Sequence, residues 1–191
     1  MAPLPQEYHY TFADLLDWDD NTRYELYGGV PVALASPSNT HQLICMDLSR
    51  QIANYLVGKQ CQVYPAPFDV RLFEGQEDTP EDVDTVVQPD ISVVCDPKKT
   101  DGHGCKGAPD LVIEVSSPST ARYDKLTKYN LYQRAGVREY WIVSPEDRTV
   151  QVYTLESGIL QPRAFYGPED VAKVHVLDGC FLELCKVFPK P

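Results

Sequence analysis

The spacing of apolar residues changes several times along the chain, and each change predicts an element. Thr11 to Trp18 starts with a capping Thr, has Asp14 three residues on, and places Phe12, Leu15 and Leu16 on one side, which predicts a short helix. From Arg23 to Ala35 two short runs flank Gly28-Gly29, the signature of a β-hairpin. Ser36-Pro-Ser-Asn-Thr opens a long helix to about Gly58, with Ser38 or Asn39 as its cap. Ile44, Leu48, Ile52, Tyr55 and Leu56 form its buried stripe, and His41 lies on that stripe one turn before Cys45.

Strand-like runs follow at Cys61 to Tyr64, Phe68 to Phe73, Val86-Val87 and Ile91 to Cys95, and 96–107 reads as a loop. Leu111-Val-Ile-Glu-Val is nearly all apolar, as expected of a central strand covered on both faces. A Ser116-Ser-Pro-Ser-Thr turn launches a second helix, Ala121 to Ala135, which Gly136 ends. Glu139 to Val143 and Thr149 to Tyr153 have hairpin spacing around Ser144-Pro-Glu-Asp. Tyr140 and Trp141 in that hairpin are expected in the core rather than on a dimer face. Weaker strands lie around 164–166, 173–176 and 181–184. The order predicts an α/β structure, a central mixed sheet flanked by helices. With no repeat or linker, residues 1–191 read as a single domain, 1–10 a loose lead-in and 160–191 a C-terminal β extension.

A chain of 191 residues buries roughly two-thirds of its unfolded surface, so it needs neither disulfide nor metal to fold. Its net charge is −11, with 28 acidic against 17 basic residues. That argues against a passive nucleic-acid binder, whose affinity comes from neutralising phosphates. It leaves room for an enzyme that meets phosphates through metal ions. The acidic stretch from Glu74 to Asp84 reads as a solvated loop. The six cysteines include no CxxC pair, and no apolar run approaches a membrane span. The amino-terminal stretch has no secretory pattern. The expectation is a cytoplasmic protein with reduced thiols.

Several polar residues sit where apolar ones are expected. Glu114 interrupts the central strand, and Asp90 heads Ile-Ser-Val-Val after Pro89. A buried carboxylate has to be paired or cation-bound. Glu114 is therefore either one half of an ion pair or a metal ligand, and Asp90 either a strand-initiating turn residue or a ligand. Two carboxylates entering one sheet are together the kind of ligand set Mg²⁺ takes. On the second helix, Lys125, Lys128, Tyr129 and Tyr132 share a face. The lysines either snorkel to solvent or place an ammonium beside Glu114. Glu25, in a short strand, alternates away from Tyr24 and Leu26, and His41 is either a satisfied core residue or part of a site.

These residues belong to a longer series. Tyr24-Glu-Leu-Tyr-Gly-Gly, Thr40-His41, Gln88-Pro-Asp-Ile and Gly107-Ala-Pro-Asp-Leu-Val-Ile-Glu-Val-Ser-Ser-Pro-Ser-Thr recur in order, followed by Asp124, Lys128, Tyr132, Ala135-Gly-Val and Glu139-Tyr-Trp-Ile-Val. The series resembles the bacterial restriction endonuclease domain family of the PD-(D/E)XK nuclease superfamily, over roughly residues 10 to 155. The resemblance implies a restriction-endonuclease-like core and a magnesium-dependent (or Mn²⁺-dependent) endonuclease acting on DNA, with one or two ions and a homodimer as one arrangement. By similarity Asp90 and Glu114 are the metal-binding acids. The superfamily lysine falls two residues after the second acid, where this chain has Ser116. Lys128 fits that role from the following helix, and Glu25 fits the additional acid. His41 matches a family position of open role, Lys125 and Ser116 are accessory candidates, and Asp110 is a turn or supporting residue. The rival readings are a catalytically silent interaction module with the same fold and a hydrolase of a small phosphodiester or nucleotide.

Overall fold

The computed structural model describes residues 8–19, 22–116 and 121–189. Helix α1 spans Phe12–Asp17, and Asp14 accepts from both the backbone N–H and the hydroxyl of Thr11. Strands β1 (Tyr24–Tyr27) and β2 (Val30–Ala33) form the hairpin around Gly28-Gly29, and both glycines have positive φ. That conformation is costly for any residue with a Cβ. Helix α2 spans Asn39–Leu56, with the Ser38 side chain accepting from the His41 N–H. Ile44, Leu48, Ile52 and Leu56 are its buried stripe.

Strands β3 (Gln62–Pro65), β4 (Val70–Arg71), β5 (Val86–Val87) and β6 (Ile91–Val94) follow. Next come β7 (Thr100–Asp101), β8 (Gly104–Lys106) and β9 (Leu111–Val115). Helix α3 (Ala121–Ala135) leads into β10 (Glu139–Ser144), β11 (Thr149–Glu156) and β12 (Ile159–Tyr166), and β13 (Val171–Val174) with β14 (Cys180–Glu183) closes the order.

The central sheet runs β12-β11-β10-β9-β6-β3 and is mixed: β9 and β10 are parallel, and their other neighbours antiparallel. Along β9 the side chains alternate between two cores. Leu111, Ile113 and Val115 join the cluster built on α2 and the β13–β14 hairpin, whereas Val112 joins the cluster containing Leu131 and Tyr132 of α3. That double coverage is why the strand reads as continuously apolar. Glu114 shares the parity of Val112 and so looks toward α3. Trp141 and Tyr140 are both in the core.

Several expectations need correction. The sheet content is divided: β2-β1-β5-β4-β8-β7 forms a second six-stranded sheet beside the central one. Part of it comes from 96–107, where β7 and β8 pair as a hairpin instead of a loop. Gly104 permits this, since a Cβ there would lie 2.1 Å from the Asp69 carbonyl oxygen. Phe68 to Phe73 supplies strand only at Val70–Arg71. The acidic stretch is not uniformly solvated, because the Glu74 side chain is buried between Arg71 and Lys106. The thiols are not all reduced: Cys61 and Cys95 form a disulfide. They lie one step beyond the Gln62↔Val94 pair of the β3–β6 ladder, which places them as cross-strand neighbours. Among the described residues no helix is long and apolar enough to cross a membrane.

Candidate active site

The antiparallel β6–β9 ladder sets the geometry. Its pairing ends at Ile91↔Ile113, so one further step puts Asp90 across from Glu114. Asp90 is anchored there because its Oδ2 accepts the Val115 backbone N–H at 2.8 Å. His41, in the first turn of α2, places Nε2 3.1 Å from the same oxygen, and its Nδ1 lies 3.5 Å from the Cys45 sulfur one turn on.

Glu114 is held from α3. Its Oε1 accepts from Lys128 Nζ at 3.0 Å and from the Tyr132 hydroxyl at 2.5 Å. Lys128 and Tyr132 are four residues apart and present donors from one helix face. The same ammonium donates to Glu25 Oε1 at 3.1 Å. Glu25 also accepts the Gln88 N–H at 2.9 Å and the Tyr27 hydroxyl at 2.6 Å. The side chains of Lys128, Glu25 and Glu114 are 9%, 3% and 14% exposed, so this cluster is largely out of water.

Burial pushes Glu114 up to about 7; Lys128 and Tyr132 oppose this, and the charges of Asp90 and Glu25 reinforce it. Burial alone would depress Lys128, but Glu114 and Glu25 hold it charged and well above the usual lysine range. The hydrogen bond to Asp90 raises His41, against burial. Tyr27, Tyr132 and Cys45 are all raised by burial. Lys128 is thus a permanent cation shared by Glu114 and Glu25.

Among the described residues, Asp90 Oδ1 and Glu114 Oε2 carry no protein hydrogen bond, although the partner oxygen of each carries two. Two hard oxygens from adjoining strand positions match the donor chemistry of Mg²⁺ or Mn²⁺. The residues present fit such an ion. His41, Cys45 and Asp90 also form a group whose ligand atoms all lie within 4.8 Å of one another.

Not every candidate joins the cluster. Asp110 lies at the opposite end of β9, where it accepts the Cys95 N–H at 2.8 Å and pairs with Arg138 at 2.8 Å. Ser116 turns its hydroxyl to the Val143 carbonyl at 3.2 Å. The Lys125 side chain lies outside the described residues. Conversely, the hydroxyls of Tyr27 and Tyr132, the Gln88 N–H and the Cys45 thiol were missed as partners. Tyr27 is two residues from Glu25 on the same strand, and Tyr132 four from Lys128, so parity and helical spacing carried part of that signal.

A model of the Uma2 family, described as "Putative restriction endonuclease", matches residues 12–184. A protein of Synechocystis sp., described as "Uncharacterized protein slr1290", is 30% identical over 152 residues, which is 78% of this chain and 72% of that protein. A crystal structure from Anabaena variabilis, described as a putative nuclease belonging to DUF820, superposes with a TM-score of 0.72 at 17% identity and covers 93% of this chain and 97% of its own. At that identity the match speaks for the fold, a restriction-endonuclease-like one.

Proposed function

We propose that this chain, which belongs to the Uma2 family, is a divalent-metal-dependent endodeoxyribonuclease that hydrolyses phosphodiester bonds in DNA. One observation carries the reading: Asp90 and Glu114, across from each other on β6 and β9, each keep one oxygen without a hydrogen bond from the described residues, while an α3 ammonium sits on Glu114. Asp90 and Glu114 would hold one or two Mg²⁺ or Mn²⁺ ions. A cation bound there supplies polarisation of the phosphoryl oxygen and a more acidic water.

The chain's own residues do the rest. The Val115 N–H and His41 fix the Asp90 carboxylate in orientation. Tyr132 and Lys128 fix Glu114 and keep part of its charge neutralised. Lys128 supplies positive charge next to the reacting phosphate, where it offsets the charge that develops during attack. Glu25 and Tyr27 keep the Lys128 ammonium in place without contacting substrate.

The test is cleavage of supercoiled plasmid and of single-stranded and duplex oligonucleotides with Mn²⁺, Mg²⁺ or EDTA. The expected result is metal-dependent cleavage that Asp90→Ala and Glu114→Ala abolish, together with metal binding by calorimetry in the wild type. Absence of both binding and cleavage sinks the proposal. The net charge of −11 favours a compact substrate over a long polyanion as a second reading. A panel of nucleotides and small phosphodiesters in the same assay separates the two.

A further inference from the structure

His41 and Cys45 are four residues apart on α2, so their side chains stack on one helix face. The sulfur and His41 Nδ1 are 3.5 Å apart. A tetrahedral zinc ion with metal–sulfur and metal–nitrogen bonds of about 2.3 and 2.05 Å spaces two such ligands about 3.5 Å apart. Nε2 lies 3.1 Å from Asp90 Oδ2, so in the neutral ring an Nε2–H donated to that carboxylate leaves the Nδ1 lone pair toward the sulfur, the tautomer a metal at Nδ1 requires. A carboxylate behind a ligating histidine is the usual way such a ring is oriented and made more basic.

The same Asp–His–Cys chain invites comparison with a nucleophilic cysteine. Burial argues against that use: Cys45 is 8% exposed and faces Asp90 and Glu114, surroundings hostile to a bare thiolate. A divalent ion removes the objection by replacing the thiol proton. The imidazole and Asp90 remain within reach of solvent, at 16% and 19% exposure, which gives an ion a path in.

We propose that His41 and Cys45 form a chelating pair for a thiophilic divalent cation of the zinc class, with Asp90 orienting the imidazole and solvent completing the coordination. On binding, the thiol proton leaves to solvent as the sulfur–metal bond forms, and nothing is oxidised or reduced. Asp90 is common to this pair and to the hard-oxygen site. A zinc-class ion therefore draws on the charge that holds Mg²⁺ or Mn²⁺ and suppresses cleavage. This last consequence rests on the nuclease reading, whereas the site itself does not.

Cobalt substitution tests the site without any activity. Titrating Co²⁺ into metal-free protein is expected to give a sulfur-to-cobalt charge-transfer band saturating at about one ion per chain. The band disappears in Cys45→Ser and in His41→Ala and persists in Cys185→Ser, which removes the exposed thiol. A far-UV circular dichroism spectrum equal to that of wild type shows that Cys45→Ser is folded, so its loss of the band is then a loss of the ligand. No band in the wild type, or a band that survives in Cys45→Ser, overturns the site. In the cleavage assay, Cys45→Ser is at least about tenfold less sensitive to Zn²⁺ than wild type, each protein being scaled to its own Mn²⁺-supported rate without Zn²⁺. Equal sensitivity of the two proteins overturns the competition. If no metal supports cleavage, the nuclease reading falls and the cobalt result alone decides the site.

Discussion

Lys128 is the cation that makes the cluster tolerable, and removing it has a calculable cost. In Lys128→Met the aliphatic stem stays packed while the ammonium goes. Glu25 and Glu114, 3.1 and 3.0 Å from that ammonium, then lose their shared cation. Breaking a buried ion pair from one side costs about 3–5 kcal/mol, because the remaining charge is stranded. For a chain of this size each kcal/mol moves the melting temperature by about 2–4 °C, which gives a fall of about 6–20 °C.

The sign of the pH dependence follows from the same charges. Burial already pushes Glu114 up to about 7 and Lys128 opposes that rise, so without Lys128 its folded-state pKa climbs further above the unfolded value of about 4.3. The native state then binds more protons than the unfolded one as pH rises, so stability is lost through that window. Wild-type Glu114 already costs stability up to about pH 7, so the gap between wild type and variant widens above that and is larger near pH 8 than near pH 5. Thermal melts in EDTA across this range measure it. Adding Glu114→Gln to the variant removes one stranded charge and returns part of the loss. A variant that melts within 2 °C of wild type at about pH 8, with a gap indifferent to pH, would refute the assignment of Lys128 as the buried counter-ion.

Other expectations follow from the same geometry. Tyr132→Phe removes a donor from Glu114 and lowers stability by about 1.5–3 kcal/mol, read as a shift in the urea midpoint at constant slope. Saturating Mn²⁺ at 100 times its dissociation constant raises wild-type stability by about 2.7 kcal/mol, and Asp90→Ala loses that rise; an equal rise in both proteins would place the ion elsewhere. Burial raises Glu139, which accepts from Trp141 Nε1 and the Val176 N–H, so it drains stability as pH climbs from the ordinary carboxylate range to its higher folded value. Glu139→Gln, which cannot ionise, flattens that part of the stability–pH curve. Ser38→Ala removes the α2 cap and costs about 0.5–2 kcal/mol, measurable by chemical denaturation.

Local physics made much of this chain readable from its residues. The Thr11–Asp14 box, the Gly28-Gly29 hairpin, the Ser38 cap and the apolar stripe of α2 each depend on neighbours within a few positions, so their spacing alone announces them. The same holds for the continuous apolar run of β9, and the misplaced acid within it marked Glu114 before any partner was known. Tertiary structure decided what pairs with what. Ladder register put Asp90 opposite Glu114 and made neighbours of Cys61 and Cys95, 34 residues apart in sequence. Docking of α3 gave Glu25 and Glu114 a common ammonium across separations of 103 and 14 residues. The β1–β2 hairpin and Val86–Val87 were readable, but the second sheet they belong to was not, because β7 and β8 are two and three residues long and β4, β5 and β8 are joined across distant parts of the chain. Whether a buried carboxylate is a liability or a ligand depends on which groups long-range packing brings within 3 Å, and no spacing along the chain contains that distance.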